Sequence, residues 1–182
     1  MDLVDIIAEK YFLGQEFLTW LWYKSEERGG AVELPGMGDV LVVFEKHMLL
    51  EYGDGDSFEK VICQGLQAEL KEARTGLRMG KKLEQARIMI GRGDYEWNMT
   101  VKASRFEFRS VKTPKTVDTA AEQDDPAAVE GRILDKIGLY EEALNVFDEL
   151  FRLYLGVRLS AAWEEELGRL REWIAGKAED RR

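Results

Sequence analysis

The sequence predicts an α+β fold: an antiparallel sheet meander packed with about four helices and ending in an amphipathic helical pair. Three observations predict it. Apolar residues recur at intervals of three and four in four separate stretches, the signature of helices with one buried face. Two blocks, about 31–63 and 81–112, hold short runs of alternating or β-branched apolar residues separated by Gly-rich turns, the signature of strands. The chain of 182 residues, 45% hydrophobic, is long enough to close these pieces around one core. It reads as a single domain over 1–182, with an acidic loop at 113–128 ahead of a C-terminal helical segment at 129–175.

The elements follow in order. Residues 2–11 are an apolar-polar lead-in of helical character. A helix is expected from about Gln15 to Arg28, stopped by Gly29-Gly30. Phe17, Trp20 and Leu21 form one stripe on it, Leu18 and Trp22 an adjacent one. A helix apolar around that much of its circumference is a buried helix. A base-stacking platform would instead need exposed aromatics beside basic residues, and here Glu16, Glu26 and Glu27 outnumber Lys24 and Arg28. The segments "AVEL", "VLVVFE", "HMLLEY" and "SFEKVICQ" read as strands, with "PGMGD" and "GDGD" as turns. Asp54-Gly55-Asp56 has the look of a calcium loop, but the twelfth position counted from Asp54 is Gly65 where such a loop needs glutamate.

Residues 66–79 read as a helix on Leu66, Leu70, Ala73 and Leu77, ended by Gly80. Three strands are expected next. In the second, Tyr95, Trp97, Met99 and Val101 alternate with polar residues; in the third, Phe106 and Phe108 alternate with Arg105, Glu107 and Arg109. After the acidic loop, Val129, Ile133, Ile137, Tyr140, Leu144, Phe147, Phe151 and Tyr154 describe an amphipathic helix to about Leu155. A last helix, about 161–175, carries Trp163, Leu167, Leu170 and Trp173 or Ile174 on its apolar face, and a frayed tail follows.

Charge narrows the function. The net charge of −9 argues against indiscriminate polyanion binding, yet residues 66–115 carry 12 basic and 6 acidic side chains. The single cysteine, Cys63, excludes an internal disulfide, and acids near the N-terminus stand where a secretory signal needs bases, so a cytoplasmic protein is expected. His47 has no nucleophile or acid placed beside it by sequence. No nucleophile elbow, phosphate-binding loop, dinucleotide fingerprint or ordered carboxylate set for two metals is present, so neither an enzyme nor a cofactor is expected.

Four stretches together carry a resemblance: "TWLWYKSE" before a β segment, the helix–Gly–Lys–strand junction "LQAELKEARTGLRMGKKLEQARIMI", the strand pair "YEWNMTVKASRFEFRSVK", and the apolar helix "ILDKIGLYEEALNVFDELF" after an acidic loop. Over about residues 12–158 the chain resembles the C-terminal half of the recombination-associated protein RdgC family. The resemblance implies a non-catalytic, self-associating protein of the nucleoid that binds duplex DNA without sequence preference and can meet a recombination protein. It implies phosphate contacts from Lys71, Arg74, Arg78, Lys81, Lys82, Arg87, Lys102, Arg105 and Arg109. The alternative reading is an acidic protein-interaction or dimerisation domain without DNA binding.

Overall fold

The computed structural model describes residues 12–54, 57–64, 68–115 and 126–176. The lead-in at 2–11, the tip of the GDGD turn, most of the acidic loop and the tail after Gly176 lie outside the described residues. Four helices, α1 (Phe12–Glu27), α2 (Ala68–Arg78), α3 (Pro126–Arg158) and α4 (Trp163–Ala175), pack on a sheet of β1 (Ala31–Leu34), β2 (Gly38–Asp54), β3 (Ser57–Gln64), β4 (Lys82–Arg92), β5 (Tyr95–Lys102) and β6 (Glu107–Lys112). The architecture is the α+β antiparallel sheet that the pattern predicts.

The strand order is β1-β2-β4-β5-β6, and every pairing is antiparallel. β3 joins the same edge of β2 as β1, but at the opposite end: β1 pairs with Gly38–Leu41 and β3 with His47–Asp54. The two strands expected from "VLVVFE" and "HMLLEY" are therefore one strand of 17 residues. The polar interruption Glu45-Lys46-His47 that separates them in the sequence is absorbed as an irregularity opposite β4, between Phe44 and Met48.

All four helices lie on one face of the sheet. That face presents Val32, Leu34, Val40, Val42, Phe44, Met48, Leu50, Leu83, Ala86, Ile88, Ile90, Trp97, Met99 and Val101, all buried. The aromatic helix α1 is the centre of the core. Phe17 is 0% and Trp20 1% exposed, and Phe17 makes edge contacts with Phe147 and Phe151 of α3 and with Phe106. Near its start, α1 presses so closely on the turn after β5 that a Cβ on Gly14 would stand 2.0 Å from the carbonyl oxygen of Ala103. Only glycine fits at that approach.

Four of the five tryptophans, Trp20, Trp22, Trp97 and Trp173, keep their polar ends paired, as burial favours. Trp20 Nε1 donates to Glu166 at 2.9 Å, and Trp97 Nε1 donates to the Leu139 carbonyl at 2.9 Å. Glu26 gathers three donors: Trp22 Nε1 at 2.8 Å, Trp173 Nε1 at 2.9 Å and the Arg74 guanidinium at 2.6 Å. That one carboxylate ties α1, α2 and α4 together. No helix among the described residues is long and apolar enough to cross a membrane.

Candidate nucleic-acid interface

Among the described residues, no helix covers the face of the sheet opposite α1–α4. Leu41, Val43 and Ile62 are exposed there, on the β2 side. The rest of that face follows from strand register, because residues paired across a ladder share a face. Arg87 lies opposite Thr100, and Thr100 opposite Arg109. Gln85 lies opposite Lys102, and Lys102 opposite Glu107. Met89 lies opposite Asn98, and Asn98 opposite Lys112. Lys82, at the start of β4, pairs with Glu51 and falls on the same side. The outer surface of β4, β5 and β6 thus carries Lys82, Arg87, Lys102, Arg109 and Lys112 beside the acids Glu96 and Glu107, with the neutral hydrogen-bonding groups of Gln85, Asn98 and Thr100 between them.

One acid of this face is held by Arg109. Arg109 Nε and Nη2 donate to the two oxygens of Glu107 at 2.8 and 3.0 Å. This fork holds the Glu107 carboxyl below its ordinary value, and the charges of Lys102 and Arg105 act in the same direction. Arg109 is raised in turn, first by the same hydrogen bond. Arg105, in the short 3-10 turn Ala103–Arg105 between β5 and β6, is exposed. No ion pair with a described residue engages Lys82, Lys102 or Arg105 within 4.0 Å.

The other basic residues named by the resemblance are placed elsewhere or already paired. Arg74 bonds Glu26 and lies over the Trp173 ring at 5.2 Å. Arg78 Nε donates to the Ile174 carbonyl at 2.6 Å, anchoring α4. Lys81 is 7% exposed and its ammonium meets Glu59 at 2.5 Å. Lys71 is exposed on α2, away from the sheet's outer face. Arg87 is on that face, joined to Glu45 at 2.6 Å. Of the nine, the structure brings together Lys82, Arg87, Lys102, Arg105 and Arg109.

Lys112 was missed by sequence reasoning. Strict alternation from Arg109 puts Val111, not Lys112, on its face. Ser110, in the left-handed region at φ 51°, forms an irregularity that shifts the register by one and turns Lys112 outward. A serine gives little warning of such a conformation.

A second concavity, of about 370 Å³, lies on the helix side between α1, β1, α3 and α4. Within its polar wall Lys24 meets Glu166 at 2.7 Å and Glu27 at 2.8 Å. No group of three or more His, Cys, Asp and Glu among the described residues is arranged to hold a metal ion. No family model, curated protein or solved structure matches the chain.

Proposed function

We propose that this chain is a non-catalytic, sequence-independent duplex DNA-binding protein, RdgC-like, that lays the outer face of β4–β6 along the phosphate backbone. The observation that carries the reading is the placement of Lys102 and Arg109 on one sheet face that no described helix covers, with exposed Arg105 in the turn beside them. Lys82, Arg87 and Lys112 extend the same surface. Cations on a sheet face position a backbone and read no base edges, so binding is expected to be indifferent to sequence. The net charge of −9 keeps the affinity low and confines attraction to this face.

The test is a titration of random-sequence duplex DNA at several salt concentrations. Each phosphate neutralised contributes about 0.9 to the slope of log affinity against log salt. The double variant Arg105→Ala, Arg109→Ala should lower the slope by up to about two units on every sequence alike. Lys71→Ala, off the face, should leave it unchanged. Absence of binding by the wild type at low salt removes the DNA role. Magnesium-dependent cleavage by the pure protein, abolished by one carboxylate substitution, removes the non-catalytic one.

A second reading, a protein-interaction domain without DNA binding, has one observation in its favour. Arg74, Lys81, Arg87 and Arg92 of the basic segment pair with Glu26, Glu59, Glu45 and Glu142, all from the acidic segments. Folding interleaves the charges that the sequence segregates. The same titration separates the two readings.

A further inference from the structure

The short strand β1 lies at the edge of the sheet with one side open. On its other side it pairs with β2, from Ala31 opposite Leu41 to Leu34 opposite Gly38. The bond from the Val42 N–H to the Gly30 carbonyl, at 2.7 Å, sets the phase of this ladder. Antiparallel bonds recur at every second residue. Val32 and Leu34 therefore turn their backbone groups toward β2, while Ala31 and Glu33 turn theirs away. The Ala31 N–H finds the Arg28 carbonyl at 3.3 Å. The Ala31 carbonyl, the Glu33 N–H and the Glu33 carbonyl meet no partner among the described residues. β3, which extends the same edge of β2, pairs only with His47–Asp54 and leaves this end free.

The open side faces a built concavity, the one of about 370 Å³ between α1, β1, α3 and α4. Ala31, Val32 and Glu33 all line it. Successive residues of a strand point to opposite faces, so a cavity on one face alone would meet only every second residue. This one reaches around the edge. Trp20, Val32, Leu153 and Val157 give it an apolar floor. On its wall Lys24 is paired with Glu27 and Glu166, and Arg169 with Glu165. Two opposite charges remain, Arg28 and Glu33, both exposed and neither in an ion pair among the described residues.

Unpaired backbone groups beside an apolar hollow are the two halves of strand addition: the edge supplies main-chain bonds and the hollow takes a side chain. We propose that this groove binds an extended segment of a partner protein, added antiparallel to β1, with a basic, an apolar and an acidic residue in succession. The basic residue lies opposite Glu33 and exchanges both main-chain bonds with it. Its side chain shares the face of the Glu33 carboxylate, where opposite charges across a ladder attract. The apolar residue lies opposite Val32 and points with it toward the helices, onto Trp20, Leu153 and Val157. The acidic residue lies opposite Ala31, donates its N–H to the Ala31 carbonyl and brings its charge to Arg28. Because α1, α3 and α4 wall the groove, it admits a lone extended segment and hinders the edge of a second folded sheet.

This inference goes beyond the DNA-binding reading and does not depend on it, since the groove is at the β1 edge and the basic face at β4–β6. The probe is the capped peptide Ser-Thr-Lys-Leu-Glu-Thr-Ser, titrated into the full chain up to about 1 mM and followed by amide and indole N–H magnetic resonance. The Glu33 amide and the Trp20 indole should shift together and saturate. Replacing the peptide's leucine by aspartate should weaken binding about tenfold or more. Methylating the backbone nitrogen of the peptide's lysine removes the donor to the Glu33 carbonyl and should weaken binding about tenfold. On the protein, Glu33→Pro deletes the outward N–H. The ladder to β2 does not use that group, so the unfolding transition should be kept while binding falls. Glu33→Lys should weaken binding severalfold, and glutamate in place of the peptide's lysine should restore it. No shift with the peptide, or undiminished binding of the methylated form, overturns the proposal. So does free leucine that moves both signals as far as the peptide does, because the hollow then takes a small molecule. A Glu33 amide that moves with protein concentration alone assigns the edge to a second copy and overturns the occupant. Equal binding of the peptide with lysine and glutamate exchanged overturns the antiparallel direction.

Discussion

Replacing Glu26 by alanine should loosen α4 against α1 and α2. Glu26 accepts from Trp22 and Trp173, which are 1% and 6% exposed, and pairs with Arg74. The substitution strands two indole N–H groups where water reaches poorly. An unpaired buried donor costs about 1–3 kcal/mol, so the two indoles together cost about 2–6 kcal/mol. The lost pair with Arg74, half shielded, adds up to about 1 kcal/mol. The loss is a large share of the 5–15 kcal/mol that holds a domain together. Glu26→Gln keeps one acceptor oxygen and should fall between wild type and alanine. Urea unfolding followed by tryptophan fluorescence gives the stability. Hydrogen exchange resolved by segment should show amides of α4 opening ahead of those of α1, because α1 remains buried by its own aromatic stripe. A Glu26→Ala protein within about 0.5 kcal/mol of wild type, the range of an ordinary surface change, refutes the reasoning.

Three further outcomes follow from contacts described above. Gly14→Ala, which in an open helix would gain about 1 kcal/mol, should instead lose about 2–3 kcal/mol by overpacking against the Ala103 carbonyl, measurable by chemical denaturation. Tyr23 and Tyr154 are both raised above the ordinary tyrosine value, first by burial and then by hydrogen bonds to Glu27 and Glu16. Below about pH 10 their contribution is fully present. Above it the unfolded chain loses phenolic protons that the folded one keeps, so stability falls as pH rises. Ultraviolet titration should find both phenols silent until the protein unfolds, and Tyr154→Phe should lessen the alkaline loss. Glu107→Gln removes the anion that competes with phosphate for Lys102, Arg105 and Arg109, so it should tighten DNA binding severalfold at low salt, read by the same titration; weaker binding would count against this face.

Periodicity carried most of the fold. The aromatic helix, the amphipathic run ending in Tyr154 and the alternating strand around Trp97 were legible because each buries one face and therefore writes a period into the sequence. Pro126 opens α3 a few residues before its first apolar residue, as the first-turn preference of proline allows. Two features were not legible. The fusion of two expected strands into β2 depends on an irregularity opposite Arg87, and tertiary pairing decides that. The acidic partners of Arg92 and Arg74, Glu142 and Glu26, are 50 and 48 positions away, so their neutralisation leaves no local trace. Alternation did place Lys102 and Arg109 outward, but it could not say that Lys81, one residue before the strand, turns inward to Glu59. Nor could it say that the apolar run of α3 begins, at Ile133 and Ile137, outside the core that covers its end.

The length of β2 is deceptive. β1 leaves it at Leu41, with one further bond from Val42 to Gly30, and β3 takes it up only at His47. On the opposite side β4 skips from Phe44 to Met48. The backbone of Glu45 and Lys46 therefore has no ladder partner on either side among the described residues. The ordinary gradient of a strand, frayed at its ends and rigid at its middle, is reversed here. Slow-exchanging amides should form two islands, one around Val42 and one around Leu50, with a trough between them. The longest strand of the sheet then behaves as two short levers spliced at a pivot, and a torque on one end of the sheet need not reach the other.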